Sequence, residues 1–283
     1  MLRRLAVVGV GLLGGSVAKA ARAHGLAREI VGVGRDGARL QPALADGALD
    51  EATTDVAAGV RGADLVVLCA PVRAIETLLP DVWRAADAAA ILTDVGSTKR
   101  AIVAAAQRLA RDRPLAFVGS HPMAGSEQSG YAVARADLFH GATVIVTPAE
   151  ASPPAAVKTV TAFWEGAGAG RVLTLDPEAH DRAVAAVSHL PHLVAFALVE
   201  AVARFDPSAL DVAARGFRDT TRIAASDPVM WEEVFLANRD ALGAWLGAFE
   251  QALGELAGLV ERGDGRGLRE ALARIKARRE GLA

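Results

Sequence analysis

A short segment, Gly119 to Glu127, contains a histidine, His121. It also contains a proline, a methionine, two serines and two glycines. The segment follows the apolar run Leu115 to Val118, so His121 comes shortly after a predicted strand. Histidine is the usual general base in enzymes, because its ordinary pKa lies close to working pH. A histidine in a solvated loop does not need this much control of the backbone. We therefore predict that His121 is held over a pocket as a proton acceptor.

The second half of the chain supplies further polar groups. His189 and His192 lie three residues apart and so share one face of a predicted helix. This spacing can bind a metal, but the sequence has no matching His/Cys/Glu cluster, so we expect no metal site. For His189 a position in the core is the alternative. Arg222 stands next to an apolar segment, so we expect it to be partly buried and to need an anion, either a substrate carboxylate or Asp219.

The first residues carry a phosphate-binding pattern. A β-type run, Leu5 to Val8, leads into Gly9, Gly11 and Gly14, and a helical pattern follows to about His24. The first glycine permits a tight turn, the second lets a pyrophosphate approach the backbone, and the third lets helix and strand pack closely. The free N–H groups at the start of the helix would bind the phosphates. The pattern predicts a dinucleotide site.

The end of the second predicted strand bears on the choice of cofactor. This strand, Ile30 to Val33, leads into Gly34, Arg35 and Asp36. An NAD site normally places an acid at this strand end to hold the ribose 2′-hydroxyl. Counting from Gly14, that position falls on Gly34, and Arg35 beside it suits a 2′-phosphate. Asp36 could serve NAD if the turn is longer, so NAD+ and NADP+ both stay open.

Strands and helices alternate up to about residue 175, which predicts a parallel, doubly wound sheet. Ligands bind beyond the carboxyl ends of the strands in such a sheet. The candidate residues lie at four predicted strand ends, namely Gly9–Gly14, Cys69–Val72, Asp94–Lys99 and Gly119–Glu127. From Asp176 onward helices are predicted at Glu178–His192 with Leu193–Phe205, Leu210–Arg215, Pro228–Val260 and Leu268–Arg279. We therefore divide the chain into residues 1–176 and residues 177–283.

Composition sets outer limits on the function. The 283 residues suit two domains of roughly 150 residues each. Hydrophobic residues make up 52% and charged residues 23%, which predicts a globular core. A net charge of -2 gives no reason to expect nucleic acid or an anionic membrane as a partner. We see no apolar stretch of about 18 residues, and the single cysteine, Cys69, fits a reducing compartment. We expect a cytoplasmic protein without nucleic-acid or membrane partners.

Five motifs, in this order along nearly the whole chain, resemble the prephenate/arogenate (cyclohexadienyl) dehydrogenase family, the TyrA-type enzymes of tyrosine synthesis. They are Gly9–Ser16, Asp94–Lys99, Ser120–Gly125, His189–His192 and Asp219–Arg222. The resemblance implies an α/β Rossmann-type dinucleotide-binding domain followed by an all-α dimerisation domain, similar to the C-terminal half of 6-phosphogluconate dehydrogenase. It implies a homodimer with the active site in the cleft between the domains. The implied reaction is oxidative decarboxylation of prephenate to 4-hydroxyphenylpyruvate, or of arogenate to tyrosine, with hydride transfer to NAD+ or NADP+.

The resemblance also implies roles for single residues. His121 matches the family's base, and Ser97 matches the serine that hydrogen-bonds the substrate hydroxyl near the nicotinamide. Arg222 matches the residue that binds a substrate carboxylate, and His192 matches a histidine of the substrate pocket. Glu127, Asp219 and Trp231 occupy further pocket-lining positions. The implied cofactor-binding positions are Gly9, Gly11, Leu12, Leu13, Gly14, Arg35, Ala70, Pro71 and Ser97.

Two other functions are compatible with the same residues. A two-domain dehydrogenase of the β-hydroxyacid type would use a lysine as its base, and Lys99 is the candidate at the predicted rim. A non-enzymatic dinucleotide-sensing dimer is the second alternative. Such a protein would not need His121, His192 and Arg222 together.

Overall fold

A computed structural model describes residues 1–126 and 128–282, so Glu127 and Ala283 lie outside the described part of the chain. The first half folds into one sheet flanked by helices. Its strands are β1 (Leu2–Val8), β2 (Ala27–Val33), β3 (Glu51–Thr53), β4 (Leu65–Leu68), β5 (Ile91–Asp94), β6 (Ala116–Pro122), β7 (Thr143–Pro148) and β8 (Arg171–Thr174). Its helices are α1 (Leu12–Ala23), α2 (Gly37–Ala45), α3 (Val56–Val60), α4 (Val72–Ala85), α5 (Arg100–Asp112) and α6 (Pro154–Gly166).

The eight strands lie in the order β3-β2-β1-β4-β5-β6-β7-β8. All neighbouring pairs are parallel except β6 and β7, which run antiparallel. The prediction of a wholly parallel sheet was therefore wrong at this pair. The reason lies in residues 123–142, whose described part contains only a three-residue 3₁₀ turn and no crossover helix that would return the chain to the start of a parallel strand.

Two short elements between residues 45 and 65 were not predicted. Strand β3 has three residues and helix α3 has five, so neither is long enough to show a hydrophobic period. Helix α3 is started by its cap, because the side chain of Asp55 accepts the backbone N–H groups of Ala57 and Ala58. Short elements of this kind are set by local hydrogen bonds and pairing with a neighbour.

The core lies on both faces of the sheet. Along β1, Leu5 and Val7 pack in one hydrophobic cluster, whereas Ala6 and Val8 pack in the other, and all four are almost fully buried. Helices cover both faces, as parallel sheets require. Because both faces of the sheet are covered, the ends of the strands are where a ligand can bind.

From residue 177 onward the described chain is helical. Its helices are α7 (Pro177–Val184), α8 (Leu190–Phe205), α9 (Arg215–Thr221), α10 (Pro228–Ala237), α11 (Arg239–Glu261) and α12 (Gly265–Glu280). A π-helical turn, Ala185–His189, joins α7 to α8. The predicted single helix over Pro228–Val260 is two helices, because Asn238 leaves helical geometry and its side chain donates to the carbonyl of Asp181.

The predicted helix over Leu210–Arg215 was wrong in its bounds. The chain instead forms a 3₁₀ segment, Pro207–Val212, before α9 begins at Arg215. The 3₁₀ segment starts there because Asp206 accepts the backbone N–H of Ser208 and Pro207 occupies the first helical position.

The continuous helix Pro177–Phe205 corrects the expectation that no segment has the length of a membrane span. This helix has 29 residues and is long and apolar enough to cross a membrane, judged by length and composition alone. The polar residues Ser188, His189 and His192 interrupt its apolar sequence, so it does not contain a continuous apolar run of the expected length. A helix in the core of a soluble protein can have the same length and composition. The helix Pro177–Phe205 is therefore weak evidence for a membrane span.

Candidate active site

The sequence-predicted cofactor and catalytic residues meet at one rim of the sheet. The loops there carry Gly9–Gly14 after β1, Gly34 and Arg35 after β2, Ala70 and Pro71 after β4, Ser97 after β5, and His121 near the end of β6. The strands β2, β1, β4, β5 and β6 are consecutive in the sheet and parallel, so these ends face the same way. The predicted grouping of these loops at one rim is confirmed.

The glycines of the first loop form a cradle. Gly9 has a φ of +98°, and a Cβ there would lie 2.4 Å from the carbonyl oxygen of Cys69. A Cβ on Gly14 would lie 1.9 Å from the carbonyl oxygen of Gly9. At Gly11, by contrast, no described atom lies within 4 Å of the Cβ position. The outer two glycines permit the close packing, and the middle one leaves room for a group at the start of α1.

This cradle fits a dinucleotide. Gly11 caps α1 without a side-chain hydrogen bond, and the residues Leu12 and Leu13 open its first turn. A helix start of this kind directs backbone N–H groups and the positive end of the helix dipole towards an anion. The residues present therefore suit a pyrophosphate.

The end of β2 lacks the acid that an NAD site usually has there. The strand ends at Val33, so Gly34 is the first residue beyond it, as the sequence predicted. Arg35 is exposed. Asp36 caps α2, because its carboxylate accepts the backbone N–H of Ala38 at 2.9 Å. The first acid after β2, Asp36, thus caps a helix, and Arg35 precedes it.

His121 lies within β6, one residue before its end, and not in the loop after a shorter strand. Its side chain is buried, with 8% of the residue exposed. Nδ1 of His121 lies 2.9 Å from Nε2 of His180. Burial, followed by the nearby His180, Lys99 and His189, lowers the pKa of His121 well below 6.5. The imidazole is therefore neutral at neutral pH and can accept a proton.

A buried ion pair holds the loop of Ser97 next to the strand of His121. The ammonium of Lys99 is fully buried and donates to the carboxylate of Asp94 and, at 2.9 Å, to the carbonyl of Ser120. The same carboxylate accepts the backbone N–H of Gly96 at 2.8 Å and that of Ser120 at 3.2 Å. Ser97 follows Gly96, and His121 follows Ser120, so both candidate catalytic residues are tied to this pair.

Lys99 is held inside the protein by these bonds. Burial lowers the pKa of Lys99, and the charge of Asp94 opposes that shift. Its nitrogen already donates to two protein groups and none of the residue is exposed. This arrangement suits a structural cation and not the base of a β-hydroxyacid-type dehydrogenase.

The helical half supplies a second group of candidates. The rings of His192 and Trp231 stack with their centroids 3.6 Å apart, and Trp231 is buried. Nδ1 of His192 lies 2.9 Å from the carbonyl oxygen of Ser188 and donates to it. Burial lowers the pKa of His192, and the charge of Arg222 lowers it further against the effect of the Ser188 bond. The structure therefore brings His192, Trp231 and Arg222 together.

The three other predicted substrate-binding residues are Arg222, Asp219 and Glu127. Arg222 is exposed in the single chain and not partly buried, because the 3₁₀ turn Arg222–Ala225 lies at its surface. The carboxylate of Asp219 lies 3.2 Å from Nε of Arg215. Glu127 lies outside the described residues.

His189 lies in the core, which is the alternative that the sequence left open. It is 1% exposed, and its Nδ1 accepts from the side-chain amide of Asn238 at 3.2 Å. Its Nε2 has no partner among the described residues. The pKa of His189 is lowered to about 4, mainly because the imidazole is buried. Within residues 1–126 and 128–282, no group of three or more His, Cys, Asp or Glu side chains could hold a metal.

Sequence reasoning missed His180 and Asp181 on α7. Both are buried, together with Val184 one turn later. A polar pair on the buried face of an amphipathic helix was the available signal. The contact of His180 with His121, 59 residues away in the chain, leaves no trace in the sequence, and Asp181 reaches His121 only through His180.

Comparison with known families gives matches over most of the chain. The model of the prephenate dehydrogenase nucleotide-binding domain matches residues 17–173. The model of the prephenate dehydrogenase dimerization domain matches residues 176–274.

Individual relatives agree with these matches. Prephenate dehydrogenase of Bacillus subtilis (strain 168) is 33% identical over 280 residues, which cover 98% of this chain and 75% of that protein. The crystal structure of prephenate dehydrogenase from A. aeolicus in complex with hydroxyphenyl propionate and NAD+ has a TM-score of 0.92 at 34% identity, covering 100% of this chain and 99% of that one. Synechocystis arogenate dehydrogenase has a TM-score of 0.85 at 30% identity, covering 99% and 100% of the two chains. The fold, the two domain matches and these relatives show that this chain belongs to the prephenate dehydrogenase family.

Proposed function

We propose that this chain oxidises and decarboxylates prephenate to 4-hydroxyphenylpyruvate in tyrosine biosynthesis, and that it also converts arogenate to tyrosine. The observation that carries the proposal is a neutral, buried imidazole, His121, at the rim that also holds the glycine cradle. Relatives named for both substrates support it, since the B. subtilis protein is a prephenate dehydrogenase and the Synechocystis protein an arogenate dehydrogenase.

The proposed chemistry needs one proton acceptor and one oriented hydroxyl. His121 takes the proton from the substrate's ring hydroxyl, and Ser97 hydrogen-bonds the same oxygen and keeps it facing the imidazole. Bound NAD(P)+ supplies the acceptor for the hydride that leaves the carbon carrying this hydroxyl. Loss of carbon dioxide then leaves an aromatic ring, so the chain needs no separate group for that step.

The substrate's charged end lies, in this proposal, towards the helical half. Arg222 binds a carboxylate, and a guanidinium can do so with two parallel hydrogen bonds. His192 and Trp231 form a stacked wall beside it. We infer from the resemblance to the family that Asp219 and Glu127 also contribute to substrate binding; Glu127 lies outside the described residues.

The rim of the sheet would hold the cofactor in this proposal. The backbone of Gly9, Gly11, Leu12, Leu13 and Gly14 would hold its pyrophosphate, and Ala70, Pro71 and Ser97 would contact the rest of the bound cofactor. Arg35, exposed beside a capped Asp36, supports use of NADP+ as well as NAD+.

We further propose a homodimer. Helices α11 and α12 leave large apolar side chains exposed in the single chain, among them Leu253, Val260, Leu272 and Ile275 at 46–64% exposure. Exposed apolar groups of this extent suit burial by a second copy, and the matched model is of a dimerization domain. The division at residues 176 and 177, a cytoplasmic location, and the absence of membrane and nucleic-acid partners stay predictions.

The deciding experiment measures cofactor reduction by the purified protein with prephenate or arogenate, each with NAD+ or NADP+. The proposal requires turnover with prephenate and at least one cofactor, with 4-hydroxyphenylpyruvate as the product. Binding of cofactor without turnover of either substrate would favour the dinucleotide-sensing alternative.

A further inference from the structure

We propose that His180 and Asp181 are positioning residues that hold His121 in the tautomer whose Nε2 accepts the substrate proton. The inference rests on the proposed function only in naming that proton, since the tautomer itself belongs to the ligand-free protein. Its basis is a chain of two hydrogen bonds that ends on a buried carboxylate.

The carboxylate of Asp181 is surrounded by donors. Oδ1 accepts the backbone N–H of Lys99 at 2.7 Å and lies 2.8 Å from Nδ1 of His180. Oδ2 accepts the backbone N–H of Arg100 at 3.0 Å. Burial alone would raise the pKa of Asp181, but the bonds from His180 and from these two backbone groups outweigh it and hold the pKa below 3.8. Asp181 is therefore ionised at neutral pH and can only accept hydrogen bonds.

This carboxylate sets the tautomers of both imidazoles. Since Asp181 cannot donate, Nδ1 of His180 must carry a hydrogen, and burial lowers the pKa of His180, so its ring is neutral and Nε2 is an acceptor. Nε2 of His180 lies 2.9 Å from Nδ1 of His121, which must then carry the hydrogen between them. The remaining nitrogen of the neutral His121 ring, Nε2, is left with its lone pair.

Among residues 1–126 and 128–282, Asp94 carries the other buried carboxylate. Lys99 is the buried cation near His121; burial lowers the pKa of His121 most, and the charge of Lys99 lowers it further. The carboxylate of Asp94 accepts from Lys99, Gly96 and Ser120. The Asp181 carboxylate is thus the anion that reaches His121 through hydrogen bonds.

Asp181 also ties the two halves of the site together. It lies on α7 of the helical half, and the two backbone groups that it accepts open helix α5 of the sheet half. An acid at this position caps the helix and favours its dipole. One carboxylate therefore orients His121 through His180 and also holds the helix that follows Ser97.

A pair of substitutions at His180 separates hydrogen bonding from packing. His180→Leu fills a similar volume but offers His121 no acceptor, so kcat with prephenate should fall at least about a hundredfold with KM nearly unchanged. His180→Gln restores an acceptor oxygen and should recover at least about tenfold of that loss. Equal losses in the two variants, or a wild-type kcat in His180→Leu, would overturn the inference.

The spectroscopic test does not depend on turnover. Histidine ¹⁵N NMR of the ligand-free protein at neutral pH, with the His121 signals assigned by their loss in His121→Asn, should show Nδ1 of His121 protonated. In His180→Leu that preference should be lost. His189→Gln removes another buried imidazole of the same continuous helix and should leave the His121 tautomer as in the wild type.

The outcomes distinguish this inference from the proposed function. A wild-type protein that turns over neither substrate removes the function, and the NMR result still decides the tautomer. A wild-type His121 protonated at Nε2 removes the inference, whatever the activity.

Discussion

The imidazole of His192 on α8 lies against the indole of Trp231 on α10, with the two ring planes 24° from parallel. The bond from Nδ1 to the carbonyl of Ser188 prevents the ring from turning, so Nε2 is the nitrogen left for a ligand. Stacked aromatic pairs are worth about 0.5–1.5 kcal/mol beyond the area that they bury. The pair therefore forms a rigid wall near Arg222, and this wall joins side chains that are 39 positions apart in the chain.

Loss of the proposed base, His121, should greatly reduce turnover and leave cofactor binding nearly unchanged. His121→Asn removes the proton acceptor and leaves the glycine cradle intact, so kcat should fall at least about a hundredfold. Steady-state kinetics and titration with cofactor measure the two effects. Near-normal turnover in this variant would exclude His121 from the mechanism.

The same base sets the pH dependence of the wild type. Because burial lowers the pKa of His121 below 6.5, the imidazole stays unprotonated as the pH falls to that value. A profile of kcat/KM against pH should show the acid loss of activity only below pH 6.5.

Removal of the proposed carboxylate ligand should act on substrate binding. Arg222→Ala should raise KM for prephenate far more than it lowers kcat, because a carboxylate is bound in both ground and transition states. Arg222→Lys should restore little, since a point charge cannot form two parallel hydrogen bonds. A fall in kcat alone would assign Arg222 a different role.

The buried pair predicts a large loss of stability at Lys99. Lys99→Met leaves the carboxylate of Asp94 buried without its cation, so the free energy of unfolding should fall by about 3–5 kcal/mol. Urea denaturation gives the value. Lys276→Met is the matched control, because its pair with Glu280 is exposed and should be worth at most about 0.5 kcal/mol. Equal effects would show that Lys99 is not structural.

Substrate choice is tested at Glu127. Arogenate carries an ammonium where prephenate carries a keto group, and an ionised Glu127 would attract the former. Glu127→Gln should therefore weaken use of arogenate selectively, and strongly only in a cleft from which water is excluded. Comparison of kcat/KM for both substrates measures this. An equal loss with the two would mean that Glu127 orders the loop after His121, and a wild type that ignores arogenate would exclude the idea.

The buried histidines predict a loss of stability in acid. The pKa values of His121, His180 and His189 in the folded chain lie below the ordinary 6.5, with His189 at about 4. The unfolded chain binds these protons first, so stability is fully present above pH 6.5 and falls as the pH drops from there towards 4. Urea denaturation across this range should show the decline, and His189→Gln should make it shallower.

The sequence alone was sufficient to predict the glycine-rich loop at the rim of the sheet and the helical second half of the chain. Gly9, Gly11 and Gly14 lie between a strand and a helix, and their requirement for space comes from the backbone, so local sequence reveals it. Helical periodicity after Asp176 was equally local. The resemblance of five motifs identified the family and pointed to His121, Ser97 and Arg222.

Tertiary structure decided what surrounds those residues. The antiparallel β7, the break at Asn238 and the exposure of Arg222 depend on where the chain returns in space. The contacts of His121 with His180, and of Lys99 and Arg100 with Asp181, join residues 59 to 82 positions apart. Hydrogen bonds and burial act over a few ångströms, and a sequence records no such distances between remote residues. The sequence was therefore enough to propose His121 as the base, whereas its lowered pKa and its hydrogen bond to His180 follow only from the fold.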